Sequence, residues 1–117
     1  MKKILVSIPA LFVLLAACSK DKDSSTPPFT VNCATVTNKA FAADVQPIIQ
    51  STCAISGCHA SGSANGPGEL NTYAQISGAA SNIRSAVSTG RMPQTGSLSS
   101  AQKSSIICWI DSGAPNN

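Results

Sequence analysis

The chain has 117 residues, of which 43% are hydrophobic, and a formal net charge of +3. Its length and composition argue against a large enzyme, a nucleic-acid binder and a multi-pass membrane protein. The 100 residues 18–117 contain only 16 Leu, Ile, Val and Phe, below the roughly 20% that a free-standing core usually needs. A small domain of this kind is normally completed by disulfides, a metal or a cofactor.

The first 17 residues have the features of an export signal. Lys2 and Lys3 precede an apolar run over residues 4–17, which is shorter than the about 20 residues needed to cross a bilayer. The run ends in Leu-Ala-Ala-Cys at 15–18, which resembles the lipobox of bacterial lipoproteins. The resemblance implies cleavage before Cys18 and acylation of this residue, which would anchor the chain to a membrane of the cell envelope. The alternative is an ordinary signal peptide followed by an incidental cysteine.

A polar tether is predicted next, over residues 18–39. Charge alternates over the Lys-Asp-Lys-Asp sequence at 20–23, serines follow, and the prolines at 27 and 28 favour an extended backbone. A charged stretch this close to the lipobox cysteine also resembles the surface-export signals of Bacteroidetes lipoproteins. Two locations of the anchored protein are therefore expected from the sequence, the periplasmic side of a membrane or the outer-membrane surface. The predicted boundaries are 1–17 for the signal peptide, 18–39 for the tether and 40–117 for the domain.

The domain is predicted to be all-α, because no alternating strand pattern is present. Asp44 is a good N-cap for a first helix over residues 45–52. Two shorter helices are predicted from 71/72 to 76 and from 79 to 89. The Ser-Ser-Ala-Gln sequence at 99–102 resembles a capping box before a last helix, which Gly113 can end.

The residues best suited to covalent or metal-binding chemistry are the cysteines and one histidine. The cysteines are Cys18, Cys33, Cys53, Cys58 and Cys108, and the only histidine is His59. Residues 53–59 read C-x4-C-H, which is a longer form of the C-x-x-C-H signature of c-type heme attachment. In that chemistry the two thiols form thioethers with the heme, and the adjacent histidine ligates the iron. The longer gap requires the loop to fold back, which Ser56 and Gly57 allow because glycine adopts positive φ.

Two other interpretations of the motif remain open. Cys53 and Cys58 could form a disulfide with His59 on the surface, since four cysteines allow three pairings into two disulfides. A zinc site is less favoured, because a fourth ligand from Cys33 or Cys108 would leave an odd thiol.

Met92 is the only methionine after the export signal, and it lies in the sequence Gly-Arg-Met-Pro. This sequence resembles the Met-Pro ligand loop of class I cytochromes c, which implies that His59 and Met92 are the axial ligands of the iron. Without Met92 the iron would be five-coordinate or would bind water. Arg84 and Arg91 could be solvated charges or could contact a heme propionate, and Arg91 is the better candidate because it lies beside the ligand loop.

The order of helices and motifs over residues 40–117 resembles the class I cytochrome c fold, in which small helices wrap around one covalently bound heme c. The resemblance implies that the first and last helices pack together, with Phe41 and Val45 near Trp109 and Ile110. The sequence is also similar to small heme-binding lipoproteins of Bacteroidetes around residues 44–48, 57–59, 92–93 and 109–117.

Within this resemblance Cys33 and Cys108 are left without a role in heme attachment. We expect them to form a disulfide that closes a loop of about 75 residues, which the chain-entropy model values at ~4 kcal/mol. The alternative is two uninvolved thiols, which are rare in exported proteins.

The expected function is electron transfer at a membrane to redox protein partners that the sequence does not name. No enzyme activity is expected, because Asp44, Glu69 and Asp111 are isolated acids of the kind found at caps and surfaces. One alternative is a heme-free surface lipoprotein with two disulfides that acts in binding or adhesion. Another is a heme-based sensor in which a small ligand displaces Met92. If the heme interpretation holds, the domain without heme is expected to be unfolded or molten.

Overall fold

A computed structural model describes residues 26–117 of the chain. The predicted signal peptide, Cys18 and the first part of the tether lie outside the described residues. Across residues 26–117 the chain is helical and has no β-strand, in agreement with the all-α prediction. No helix in this part of the chain is long and apolar enough to cross a membrane.

Four helices form the domain. The first, α1, begins with the π-helical turn Phe41–Val45 and continues as the α-helix Gln46–Thr52. The others are α2 (Tyr73–Gly78), α3 (Ala80–Ser88) and α4 (Ser100–Asp111).

The first helix starts earlier than the sequence predicts, so the assignment of Asp44 as its N-cap is wrong. The N-cap is Ala40, and the Asp44 carboxylate accepts a hydrogen bond from the Ala40 N–H at 2.8 Å. The next free N–H groups are satisfied from the other end of the domain. Phe41 N–H donates to the side-chain oxygen of Asn117, and Ala42 N–H donates to the Asn117 carbonyl, both at 2.8 Å.

Local capping signals set the starts of α2 and α4. Ser99 and Gln102 form the capping box that the sequence predicts, and Thr72 and Gln75 form a second one before α2. In each box the N-cap hydroxyl accepts from the backbone three residues later, and the glutamine side chain accepts in return. Gly113 follows α4 with φ of +96°, which is the conformation expected of a glycine that ends a helix.

The core lies where α1 meets α4. The ring centroid of Phe41 is 5.3 Å from that of Trp109 and 5.1 Å from that of Tyr73. Val45 is fully buried beside them, and Ile110 is partly buried against the same cluster. The indole N–H of Trp109 donates to a backbone carbonyl at 2.8 Å. This arrangement confirms the predicted contact of the first helix with Trp109.

More faces of the α4 helix are buried than the spacing of its apolar residues predicts. Five consecutive residues, 105–109, are buried. The additional face is covered by the segment upstream of α1, in which Phe29 and Val31 pack against the core. The Lys103 ammonium lies 5.5 Å from the centroid of the Phe29 ring. Residues assigned to the tether therefore contribute to the packed structure.

The expected disulfide between Cys33 and Cys108 is present, with a Cα–Cα distance of 5.3 Å. One further contact holds this upstream segment on the domain, since Phe29 N–H donates to the Ser88 carbonyl at 2.7 Å. Within the segment, the Lys39 ammonium donates to the Cys33 carbonyl at 3.0 Å. The described part of the tether is thus fixed to the ends of α3 and α4 from Phe29 onward.

Candidate functional site

The C-x4-C-H segment forms a closed loop directly after α1. Cys58 N–H donates to the Ile55 carbonyl at 3.0 Å, and Gly57 has φ of +81°. His59 N–H then donates to the Cys53 carbonyl at 3.0 Å, so the two ends of the motif are in contact. The loop folds back at the glycine, as a C-x4-C spacing requires if both thiols are to face one ligand.

Two adjoining cavities, with volumes of about 330 and about 390 Å³, open beside this loop. We call them together the cleft. Cys53, His59, Gly66 and Met92 line both cavities. Apolar side chains back the first cavity, namely Leu70, Ile83, Ala86 and Val87. The second cavity is bounded by Cys58 and by residues 93–95. The volumes are in the range of cofactor sites, and the cleft brings together the predicted thioether and iron ligands.

His59 is buried, with 6% of its surface exposed, so the interpretation that places it on the surface is wrong. Its Nδ1 lies 2.8 Å from the Gly68 carbonyl. Because a carbonyl can only accept, Nδ1 is the donor of this hydrogen bond, and in the tautomer with its proton on Nδ1 the Nε2 atom carries a lone pair. The only side-chain hydrogen bond of His59 within the described residues is the one at Nδ1. Since the ring lines the cleft, Nε2 is available to a metal ion bound there.

The thiols of Cys53 and Cys58 are partly buried and are not bonded to each other. Burial raises the pKa of the Cys53 thiol, the hydrogen bond with Thr52 lowers it, and repulsion from Cys58 raises it again. The net direction is upward, so Cys53 is a protonated thiol at neutral pH. A cysteine activated for nucleophilic catalysis has a lowered pKa instead.

Met92 and Arg91 enter the cleft from the loop after α3. Met92 N–H donates to the Ala86 carbonyl at 3.2 Å, which fixes the start of this loop. Arg91 lines the first cavity, and it is the only arginine, lysine, aspartate or glutamate among the residues that line the cleft. Arg84 instead donates two hydrogen bonds to Asp111, at 2.6 and 2.9 Å. Arg91 is therefore the arginine at the cleft.

The loop over residues 60–69 supports the motif through contacts that the sequence does not predict. The Gly68 carbonyl that accepts from His59 belongs to it. The Asn65 amide donates to the Cys58 carbonyl at 2.9 Å, and the Ser63 hydroxyl donates to the same carbonyl. The only sequence signal was a composition rich in glycine, serine and asparagine, which predicts a loop but not its contacts.

Of the three acids, only Asp111 is exposed as expected, whereas Asp44 and Glu69 are half-buried and each accepts a backbone hydrogen bond. The pKa of Asp111 is lowered mainly by its hydrogen bonds with Arg84. The pKa of Glu69 is lowered mainly by the Gly62 N–H, which donates to it at 2.6 Å. Within residues 26–117 no group of three or more His, Cys, Asp and Glu side chains could hold a metal ion, so the zinc interpretation finds no donor set there.

Comparison of the chain with protein-family models, with curated proteins and with solved structures found no match. The class of protein is therefore described from its own fold and site alone. In its described part the protein is a small helical domain with a cleft lined by two unbonded cysteines, a buried histidine and a methionine.

Proposed function

We propose that the protein is a monoheme c-type cytochrome that transfers electrons at the cell envelope. It has a cytochrome c-like fold over residues 40–117 and a lipid anchor at Cys18. The observation that carries the proposal is the environment of His59, which lines the cleft and whose side chain makes one hydrogen bond within residues 26–117, from Nδ1 to a carbonyl. The packing of α1 on α4 and the position of the motif directly after α1 support the fold assignment.

The residues of the cleft fit a heme c. Cys53 and Cys58 are unbonded thiols on the wall of one cavity, as thioether formation requires. His59 and Met92 supply the nitrogen and sulfur ligands that cytochromes c use. The apolar wall formed by α3 suits a porphyrin face. Arg91 is the cation available to a propionate.

When bound, the heme would supply one-electron chemistry at its iron. The chain would hold the heme, orient the two ligands and exclude water from the apolar wall. No proton transfer or nucleophilic attack by the chain is needed, in keeping with the raised pKa of Cys53. The protein is therefore proposed to act with redox protein partners and not as an enzyme.

The heme-free alternative receives less support from the structure. It needs a Cys53–Cys58 disulfide, whereas these thiols are unbonded and the other disulfide is formed. It also leaves a buried histidine aimed at a cleft without a purpose. The sensor alternative uses the same cleft and differs in whether Met92 stays bound to the iron.

The test is to export the protein from cells with and without a c-type maturation system. We expect heme that survives acid–acetone extraction, and none in the double variant Cys53→Ala/Cys58→Ala. The methionine–iron charge-transfer band of oxidised cytochromes c should be present, and its absence would favour the sensor alternative. A colourless wild-type protein in the maturation strain would contradict heme binding altogether.

The anchor is tested separately, because the cleft does not depend on it. Labelled palmitate should be incorporated into the wild-type protein and not into Cys18→Ala. Incorporation that is equal in both proteins would contradict the assignment of Cys18.

A further inference from the structure

The residues on both sides of Glu69 hold His59. Gly68 precedes Glu69, and its carbonyl accepts from Nδ1 of His59 at 2.8 Å. Leu70 follows Glu69, and its N–H donates to the His59 carbonyl at 2.9 Å. A displacement of residues 68–70 would therefore alter the hydrogen bonds to both the ring and the backbone of the histidine.

The Glu69 carboxylate ties these residues to two neighbouring segments. One oxygen accepts from the Gly62 N–H at 2.6 Å, at the start of the loop. The other oxygen accepts from the Gln75 amide at 3.1 Å and from the Asn71 amide at 3.4 Å, at the start of α2. Glu69 thus connects the loop before it to the start of α2 after it, and residues 68–70, which hold His59, lie between the two.

The direction of the Gln75 amide is fixed independently. Its carbonyl oxygen accepts from the N–H groups of Asn71 and Thr72 at 2.9 and 3.0 Å. The amide nitrogen must then be the group that meets Glu69, so this contact is a hydrogen bond and not a repulsion. An ionised carboxylate is purely an acceptor and therefore suits three donors better than the protonated acid, in agreement with the lowered pKa of Glu69.

We propose that Glu69 is a positioning residue for His59. Its carboxylate holds residues 68–70 so that the Gly68 carbonyl keeps its bond to Nδ1 and the ring keeps its orientation in the cleft. The effect on iron rests on the proposed function, because it requires His59 to be the ligand. A hydrogen bond at the second ring nitrogen fixes the tautomer and raises the basicity of a ligating imidazole.

The experiment compares Glu69→Ala with Glu69→Gln in the heme-loaded, full-length mature protein. Both substitutions remove the same charge, but glutamine keeps an oxygen that can accept from the Gly62 N–H. The first measurement is solvent exchange of the His59 Nδ1 proton by NMR of the reduced protein. The second is the reduction potential. Asp111→Asn, which breaks the exposed pair with Arg84, serves as the control for loss of a distant carboxylate.

We expect the Nδ1 proton to exchange about 10-fold faster in Glu69→Ala, the change in an opening equilibrium that corresponds to the loss of a hydrogen bond worth about 1.4 kcal/mol. The potential should rise further in Glu69→Ala than in Glu69→Gln, because a weaker hydrogen bond makes His59 a poorer electron donor. Asp111→Asn should leave the exchange rate unchanged.

Wild-type exchange in Glu69→Ala would overturn the proposal, even if its melting temperature fell, since Glu69 would then be a structural residue only. The proposal would also be overturned if the reduction potential rose equally in both variants while the exchange rate of the Nδ1 proton stayed unchanged. Such a result would show that only the charge of Glu69 matters. If Glu69→Ala does not fold, Glu69→Leu, which fills more space and accepts no hydrogen bond, replaces it, with faster exchange than in Glu69→Gln supporting the proposal and wild-type exchange overturning it. Failure of the proposed function is distinguishable, because the wild-type protein would then carry no covalent heme.

Discussion

His59 and Met92 line the same cleft, but the structure holds them differently. The His59 ring is buried and bonded through Nδ1, whereas Met92 is held by its backbone N–H and is only partly buried. In the heme-loaded protein His59→Ala should lose the low-spin visible spectrum. Met92→Ala should keep covalent heme and should lower the reduction potential, because a methionine ligand raises it. Unchanged spectra and potentials in both variants would contradict the ligand assignment.

The two arginines provide a matched pair for the electrostatics of the cleft. Arg91 lies on the cleft wall, and Arg84 is paired with Asp111 on the surface. Arg91→Gln should lower the reduction potential, since a cation near the iron favours the reduced state. Arg84→Gln should leave the potential unchanged and should alter stability by only ~0–1 kcal/mol, as for other exposed ion pairs. Equal reduction potentials of the two variants would contradict the assignment of Arg91 to the heme site.

Glu69 also makes stability depend on pH. Its pKa is lowered in the folded protein, chiefly by the Gly62 N–H, so the unfolded chain binds the proton more tightly. The stabilisation is present above the ordinary glutamate pKa of about 4.3 and is lost as the pH falls through the lower folded value. The melting temperature of the wild-type protein should therefore decrease below about pH 4.3 more steeply than that of Glu69→Gln. Parallel profiles between pH 7 and pH 3 would contradict this linkage.

At the scale of elements, the residues that cap the starts of the helices lie at different distances along the sequence. The α4 helix starts where a serine and a glutamine three residues apart cap one another, and such a local pattern is readable from sequence. The start of α1 is capped by Asn117, 76 residues away, which no local pattern encodes. The motif cysteines and histidine were predictable as one site because they lie within seven residues of the sequence, 53–59. The Gly68 carbonyl was not, because every residue has one.

The contact between α1 and the C-terminal segment can be tested with neighbouring asparagines. Asn117→Ala removes the acceptor of the Phe41 N–H and should cost about 1 kcal/mol, the usual effect of losing a cap. Asn116 is exposed and makes no side-chain hydrogen bond within the described residues, so Asn116→Ala should be neutral. Denaturant unfolding of the heme-loaded variants gives both values. Equal stability of the two variants would mean that water caps α1 as well as Asn117 does.

At the scale of the whole molecule, one side of the apolar core borders the cleft. Trp109, Val45 and Phe41 pack between α1 and α4, and Ile83 and Val87 of α3 belong to the same cluster and also line the first cavity. The chain itself buries most of Ile83 and Val87, and a bound heme would cover the side of this wall that borders the cleft. The disulfide restrains the upstream segment and α4 but makes no contact with the cleft wall.

The composition predicts that the heme-free domain is unfolded or molten even with the disulfide intact. A native domain is stable by only about 5–15 kcal/mol, and residues 18–117 contain only 16 Leu, Ile, Val and Phe, so the contacts of a bound heme would decide whether the domain folds. Protein made without the maturation system should lack the near-ultraviolet circular dichroism of the buried Trp109 and should show no cooperative melting transition. Heme-loaded Cys33→Ser/Cys108→Ser should retain both, at reduced stability, because the cleft remains filled. A heme-free protein with native tryptophan dichroism and cooperative melting would mean that the core between α1 and α4 suffices to fold the chain.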